Sequence, residues 1–431
     1  MKLLTNNRVI IIFVFLTTLF PILRFYSGNF ELYDFGVFNS NLYSLNQNIL
    51  NFFQFDSFRL TILPLSLFLN IFEEYNPTFL FFLNSIIFSI PFFFVKKNNY
   101  ILFLFIFFSY PIWFQIIHGL NVDSIGYILV FFIYKAYKEN QRNIFFFLIL
   151  LLSLTKEYYL YISIAFIFLY YLKYKNLNNY ILIFIIIFFT FYFYWFIKFD
   201  FFNLYIEKSS FAQIKIFSNL LSLILFYFIF VVFIDFKYQA IIYFPLLFLF
   251  FFQDIDLSYR YLNSHYVIPL IGLTHSFLVF NFKLDSLINH YKKMLLIFMI
   301  CLTPIIFSPF FWTNIFTTNY HYSNYILDFE HFNDKRNITK SIPTNSILAI
   351  QNSSVDFFSF NRNVLLQYSQ IQNNALINKI NNQFKLKDIY VLVDRNKYIS
   401  KSENEKLNSL INSSVIKLLI EKNNIFLYAK N

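Results

Sequence analysis

Long hydrophobic runs separated by short polar segments fill the first three quarters of the chain. Most runs approach the ~20 residues that a helix needs to cross a bilayer, although several are shorter. The pattern predicts about eleven transmembrane helices, near residues 9–26, 78–95, 100–117, 124–138, 144–155, 158–172, 180–197, 215–234, 239–252, 264–281 and 294–311. A further run at 60–72 is short and contains Pro64, and we interpret it as re-entrant or interfacial.

The pattern changes after residue 311, where the chain becomes polar with short alternating apolar patches. It predicts strands at 346–351, 364–368 and 388–394, a helix at 402–413 capped by Ser402, and a hairpin of 415–419 with 425–429. The predicted fold class is therefore an all-α polytopic membrane domain, residues 1–318, followed by a small soluble α/β domain, residues 319–431.

Composition agrees with a membrane protein, because 58% of the residues are hydrophobic, only 13% are charged, and the mean hydropathy is +0.55. The chain has only five glycines, which predicts that close helix packing through small residues is not a main device. The single cysteine, Cys301, excludes a disulfide or a cysteine-based metal site within the chain.

The net charge of +11 would suggest nucleic acid in a soluble protein, but here topology explains it better. Basic residues lie mostly between the hydrophobic runs, at Lys96, Lys97, Lys135, Lys138, Arg142, Lys173, Lys175, Lys237, Lys283, Lys292 and Lys293. The positive-inside rule then predicts a multi-pass protein of the cytoplasmic membrane with its N-terminus inside and its C-terminal domain outside.

Under that topology the outer side receives a different set of charged side chains. The set is Glu31, Asp34, Asp56, Arg59, His118, Asp123, Lys156, Glu157, Asp254, Asp256, Arg260 and His265. This asymmetry predicts a functional site at the outer face of the membrane.

The candidate catalytic residues are Asp34 and Glu31, which follow the first hydrophobic run. They are three residues apart and would share a face of a helix. A carboxylate at the membrane face suits a general base for a lipid-linked substrate. The alternative is an ordinary polar loop.

The candidate residues for binding phosphate or the donor are Arg260, Lys156, Glu157, His265 and Arg59. Lys156 and Glu157 interrupt a hydrophobic stretch, which is costly unless the charges are paired, hydrated or functional. Their alternative is a tight outer hairpin with a mutual ion pair. Arg260 offers bidentate contact with phosphate, and its alternative is an interfacial anchor.

The sequence does not require a cofactor, and a divalent metal ion is left as an alternative. His118 and Asp123 are weak candidate ligands, since two ligands do not make a site. A turn closed by Gly119 and Asn121 is the alternative interpretation of this segment.

Several short motifs resemble a family of predicted bacterial and archaeal membrane proteins of unknown function. They are Y-D-F-G-V-F-N (Tyr33 to Asn39), L-T-K-E-Y (Leu154 to Tyr158), H-Y-V-I-P-L (His265 to Leu270), S-I-P-T-N-S-I-L-A-I (Ser341 to Ile350) and F-N-R (Phe360 to Arg362). That family is thought to be related to the GT-C glycosyltransferases, such as the protein mannosyltransferases and the lipid A aminoarabinose transferase. The resemblance implies a GT-C-like helical domain and glycosyl transfer.

The resulting hypothesis is an inverting membrane glycosyltransferase of the cell envelope. It would move a sugar from a polyprenyl-phosphate carrier to an acceptor glycan, lipid or protein at the extracytoplasmic face, among membrane lipids and without nucleic acid. The alternative is a transporter or flippase for a lipid carrier or solute, and a third interpretation is a scaffold that binds lipid carriers without catalysis.

Overall fold

The computed structural model describes residues 6–26, 42, 45, 66, 77–95, 99–117, 119–120, 122–156, 159–175, 268–281, 327–343, 345–351, 365–384, 388–396, 399 and 401–431. The helical region contains α1 (Asn6–Tyr26), α2 (Pro77–Ser89), α3 (Tyr100–Phe107), α4 (Tyr110–Ile117), α5 (Val122–Lys138), α6 (Arg142–Ser153), α7 (Tyr159–Tyr174) and α8 (Ile268–Asn281). A 3₁₀ turn, Ile90–Phe93, continues α2.

Aromatic contacts set the directions of these helices. Phe13 of α1 lies 5.0 Å from Phe92 between ring centroids, and Phe25 lies 6.0 Å from Phe81, so α1 and α2 are antiparallel. Phe94, just after the 3₁₀ turn, lies 5.5 Å from Phe131. The end of α5 therefore lies near the N-terminal half of α1, and the start of α5 lies towards the Phe25 end.

One helix among the described residues, Asn7–Tyr26, is long and apolar enough to cross a membrane. Four shorter apolar helices have 10–17 residues: Thr78–Phe93, Arg142–Ser153, Ile162–Tyr174 and Ile271–Asn281. The prediction of a GT-C-like domain with about eleven spans is therefore wrong. The part of the chain that the structure describes does not support multi-pass topology and contains one candidate span, near the N-terminus.

Two features explain why the prediction of about eleven spans failed. Both arise because apolar runs can form short helices that pack on each other. The run at 100–117 forms two helices of eight residues each. Pro111 has no backbone N–H to donate to a carbonyl of α3, so that helix cannot continue through it. Elsewhere many aromatic side chains, such as Phe131 and Phe166, are buried against neighbouring helices with no exposed surface. An apolar run in this sequence can therefore be buried in the protein interior instead of facing lipid.

The second region is a five-stranded sheet flanked by helices. It contains α9 (Phe329–Lys340), β1 (Ile347–Ile350), β2 (Leu365–Gln367), α10 (Asn374–Phe384), β3 (Ile389–Asp394), α11 (Lys401–Asn412), β4 (Ile416–Lys422) and β5 (Ile425–Lys430). The strand order is β2-β1-β3-β5-β4. β1 pairs in parallel with β2 and β3, and β5 pairs antiparallel with β3 and β4.

Both faces of the sheet are covered around β1, which explains why this strand is buried along its whole length. Ile347 and Ala349 share one core with α10 and α11, whereas Leu348 and Ile350 share the other with α9. The strands predicted from alternation are confirmed. α11 begins at Lys401, so Ser402 lies inside the helix and the prediction that it caps the helix is wrong.

The two regions meet where α1 ends and α9 begins. Phe332 of α9 lies 5.0 Å from Tyr26 and 5.9 Å from Phe25 between ring centroids. Phe25 and Phe332 are both buried. The sheet region therefore lies at the Phe25 end of the helical region. The predicted domain boundary at 318/319 falls outside the described residues and stays a prediction.

Candidate functional site

Most of the site residues predicted from the sequence lie outside the described residues. They are Glu31, Asp34, Arg59, His118, Glu157, Arg260 and His265. Two predicted residues, Asp123 and Lys156, are described, and the structure brings them together.

Lys156 Nζ lies 3.3 Å from Asp123 Oδ2 across 33 positions of sequence. Asp123 lies in the first turn of α5, where the helix dipole favours a negative charge. Its side chain is 2% exposed, whereas that of Lys156 is 13% exposed. The carboxylate is thus held inside the protein, and the Lys156 side chain as a whole keeps a small exposed fraction.

Tyr159 completes this arrangement, which we name the Asp123 cluster (Asp123, Lys156 and Tyr159). The fully buried Tyr159 hydroxyl donates towards Asp123 Oδ1 at 3.3 Å and towards the Asp123 carbonyl at 3.4 Å. The ring passes directly over Gly126, where a Cβ atom would lie 1.9 Å from the hydroxyl oxygen. Only glycine at 126 admits the tyrosine in this position.

The turn between α6 and α7 places Lys156 next to α5. The Ser153 hydroxyl lies 2.9 Å from the Ser163 hydroxyl and joins the two helices. Thr155 Oγ1 donates to the Leu151 carbonyl at 2.9 Å, which closes the end of α6. The earlier alternative was an ion pair between Lys156 and Glu157, but the described partner of Lys156 is Asp123.

The chemistry available at the Asp123 cluster is the recognition of an anion by a cation with a fixed partner. A buried carboxylate holds the Lys156 side chain in place, so less freedom is lost when the ammonium meets a phosphate oxygen. Among the described residues, no group of three or more His, Cys, Asp or Glu side chains could hold a metal ion. Asp123 belongs to a helix here, whereas Gly119 has φ 83° and forms the turn before it.

A second buried cluster, not predicted from the sequence, lies in the sheet region and joins α9 to the end of β3. We name it the Asp394 cluster (His331, Lys335 and Asp394). Asp394 Oδ2 lies 2.8 Å from His331 Nε2 and 3.2 Å from Lys335 Nζ. Lys335 and Asp394 have no exposed side-chain surface. The Lys335–Asp394 pair is therefore closed off from solvent, while His331 is 7% exposed.

Polar residues after the other parallel strands surround the Asp394 cluster. Gln351, after β1, exchanges two hydrogen bonds of 2.9 Å with the backbone of Asp394. Tyr368, after β2, donates to the Leu392 carbonyl at 2.5 Å. Burial raises the pKa of Tyr368 well above its usual value. The carboxyl ends of the three parallel strands thus share one hydrogen-bond network.

The β4–β5 turn is tied to the same helix. Asn423 and Asn424 have φ values of 48° and 62°, as a type I′ hairpin turn requires. Asn423 donates to Asp334 of α9, and Lys422 lies 2.5 Å from the same carboxylate. The hydrogen bond from Lys422 lowers the pKa of Asp334. α9 is therefore fixed to the sheet along its polar side.

Two features of the sequence could have indicated the Asp123 cluster. Gly126 lies three residues after Asp123, on the same side of α5, and Tyr159 follows the L-T-K-E-Y motif directly. Asp394 ends a predicted strand, but α9, which carries His331 and Lys335, was not predicted. Comparisons with protein-family models, with curated proteins and with solved structures find no match for this chain.

Proposed function

We propose that the protein is a membrane-associated glycosyltransferase that uses a polyprenyl-phosphate-linked sugar, and that Lys156 binds the phosphate of this donor. The observation that carries the proposal is the Asp123 cluster, in which a mostly buried lysine side chain is held by a buried carboxylate. A cation in apolar surroundings attracts an anionic headgroup more strongly than one in water. Lys156 also lies in L-T-K-E-Y, one of the motifs that carry the resemblance to proteins related to glycosyltransferases.

The chemistry proposed is inverting transfer. Asp34, with Glu31 beside it, accepts the proton of the acceptor hydroxyl as that oxygen attacks the anomeric carbon. The bond from that carbon to the carrier phosphate breaks, and the polyprenyl phosphate leaves. Lys156 stabilises its negative charge. The donor-binding roles of Arg260, Glu157, His265 and Arg59 rest on the sequence alone.

The orientation proposed places the N-terminus on the cytoplasmic side of the cytoplasmic membrane and the sheet region outside. Lys2 and Arg8 near the start of α1 support this direction, since basic residues stay on the cytoplasmic side. A phosphatase reporter that works only outside the cytoplasm, fused after Asn431, is expected to be active. An inactive reporter would contradict this orientation and place the sheet region on the cytoplasmic side.

The test of donor binding uses the purified full chain and a short-chain polyprenyl monophosphate as the probe. Lys156→Gln should weaken binding roughly ten- to hundredfold, on the scale of a lost charge-assisted hydrogen bond. Lys417→Gln is the matched control, because Lys417 is exposed on β4, in the sheet region. A wild type that does not bind the probe would overturn the proposal.

A double variant separates phosphate binding from a purely structural ion pair. Asp123→Asn with Lys156→Gln removes both charges and leaves no buried carboxylate uncompensated. If Lys156 only neutralises Asp123, the double variant should bind as the wild type does, and the proposal fails. If Lys156 contacts phosphate, the double variant should stay as weak as Lys156→Gln.

A further inference from the structure

The end of the helical region opposite the Asp123 cluster is strongly basic. α5 ends there, α6 begins there and α7 ends there, bringing together Lys135, Lys138, Arg142, Lys173 and Lys175, which we name the basic end. Among the described residues of these helices and their connections, Glu139 is the one carboxylate at this end. It is already paired with Lys135 at 2.6 Å.

Aromatic side chains give the basic end a fixed geometry. Lys173 Nζ lies 4.4 Å from the centroid of the Tyr137 ring and 4.5 Å from that of Tyr174. The Tyr174 hydroxyl donates to the Tyr137 carbonyl at 2.9 Å, which joins α7 to the end of α5. The Tyr170 hydroxyl donates to Asn140 Oδ1 at 3.3 Å. These contacts hold the cation against its neighbours.

Helix dipoles explain only part of this concentration of positive charge. Lys135 and Lys138 lie at the C-terminal end of α5, where the dipole favours a cation. Arg142, however, is the first residue of α6, where the dipole disfavours one. Burial and the nearby Lys173 ammonium lower the pKa of Lys138. Among the described residues of α5, α6, α7 and their connections, the basic end therefore has an excess of positive charge that an external anion would neutralise.

An exposed apolar stripe begins beside the basic end and runs along α6 and α7. Its members are Ile144 (50% exposed), Phe147 (59%), Ile164 (38%), Phe168 (49%), Tyr171 (43%) and Leu172 (36%). From Leu172 to Ile164 the stripe covers about 12 Å of helix. Half of the ~30 Å hydrocarbon core is about 15 Å. The stripe thus matches the depth of one leaflet.

From this juxtaposition we propose that the basic end and the apolar stripe bind anionic phospholipid. The headgroup phosphate contacts Lys138, Arg142 and Lys173, while the acyl chains lie against the stripe within a single leaflet. A basic surface next to exposed aromatic and aliphatic side chains has the charge and polarity order of a leaflet, from headgroup to hydrocarbon. The proposal does not depend on glycosyl transfer.

The test measures lipid binding to the purified full chain in detergent by native mass spectrometry. The probes are short-chain phosphatidylglycerol and phosphatidylcholine with the same acyl chains. The wild type should prefer the anionic lipid. Replacing Lys138, Arg142 and Lys173 together with Gln should reduce that preference by about fivefold for each residue, and so by roughly a hundredfold. The matched control replaces Lys401, Lys406 and Lys417 with Gln, which removes the same charge from the sheet region and should leave the preference unchanged.

Three results would overturn the proposal. The first is equal binding of the two lipids by the wild type, and the second is an equal loss of preference in the triple variant and its control. The third is full displacement of phosphatidylglycerol by inorganic phosphate at equal concentration, which would mean that the site binds phosphate and not lipid. Phe147→Gln with Phe168→Gln should weaken the binding of both lipids, and unchanged binding would exclude the stripe.

Discussion

The Asp123 cluster and the Asp394 cluster both pair a buried carboxylate with a lysine, yet their surroundings differ. The distances between the charged atoms are nearly equal, 3.3 Å and 3.2 Å. The Lys335 side chain has no exposed surface, whereas that of Lys156 is 13% exposed. Asp394 also forms an ion pair or hydrogen bond with His331. A fully buried pair can only stabilise the fold, whereas a pair whose lysine side chain is partly exposed can also contact a ligand.

The largest effect expected from this comparison is the loss of the Asp394 charge. Asp394→Asn keeps the size of the side chain but leaves Lys335 buried without its carboxylate, which should cost about 3–5 kcal/mol of unfolding free energy. Hydrogen exchange at the amides of β1 and β3 in urea measures this cost locally. Asp388→Asn is the control, because Asp388 is exposed just before β3, and it should change stability by less than ~0.5 kcal/mol.

The same substitution at position 123 tests whether the two clusters really differ. Asp123→Asn should cost less than Asp394→Asn, since Lys156 can turn towards solvent once its partner is neutral. Equal losses at the two sites would mean that Lys156 is as enclosed as Lys335, and the comparison would fail.

A smaller effect is expected from Gly126→Ala. The added Cβ would lie 1.9 Å from the Tyr159 hydroxyl oxygen, so the ring must move away from Asp123. Overpacking of this kind typically costs about 1–3 kcal/mol, against which alanine returns up to ~1 kcal/mol of helix propensity. Thermal unfolding in detergent measures the net loss of stability. Combining the change with Tyr159→Leu removes the clash, and purely additive losses would show that the two residues do not compete for space.

The smallest effect concerns the hydroxyl of Tyr368. Tyr368→Phe removes one hydrogen bond to the Leu392 carbonyl and should cost about 1 kcal/mol at neutral pH. Because the pKa of Tyr368 is raised in the folded protein, the unfolded chain loses this proton first. The stability contributed by the neutral hydroxyl is therefore present below pH 10.0, the ordinary pKa, and is lost as the pH rises above it.

The stability of the sheet region between pH 9 and 12 checks this sign. The decline of stability with pH should be shallower in Tyr368→Phe than in the wild type. Some slope should remain, since burial also raises the pKa of Tyr428. An identical decline in both proteins would show that Tyr368 is not the group responsible.

Local pattern predicted much of the structure of single elements. Alternation placed strands at 346–351 and 388–394, close to the observed Ile347–Ile350 and Ile389–Asp394. Apolar runs at 124–138 and 144–155 match α5 and α6 to within two residues. Both signals come from neighbouring residues, whose burial depends on the period of the element. The lengths and burial of the helices did not follow from hydrophobicity alone, and the predicted span count was wrong for that reason.

Contacts between distant residues explain why the sites were harder to predict. Lys156 was singled out because it interrupts an apolar stretch, but its pairing with Asp123 spans 33 positions. His331 and Lys335 lie on α9, whose polar sequence F-E-H-F-N-D-K-R shows no apolar stripe strong enough to predict a helix. The fold brings these residues together through packing between distant segments, which a short stretch of sequence cannot predict.

The glycines allow one conclusion in terms of the gene. Glycine codons begin with two guanines, whereas the codons of the abundant Phe, Ile, Asn, Lys and Tyr are rich in A and T. This composition is typical of a gene rich in A and T, which encodes few glycines, and the chain has five. Two of them, Gly126 and Gly272, lie where a Cβ would meet Tyr159 or the Tyr127 backbone at 1.9 and 2.8 Å. Glycine thus allows close approach at these two helix crossings, while the expectation that small residues are not a main packing device of the whole chain stays a prediction. A gene that encodes so few glycines has placed two of them where a side chain would not fit.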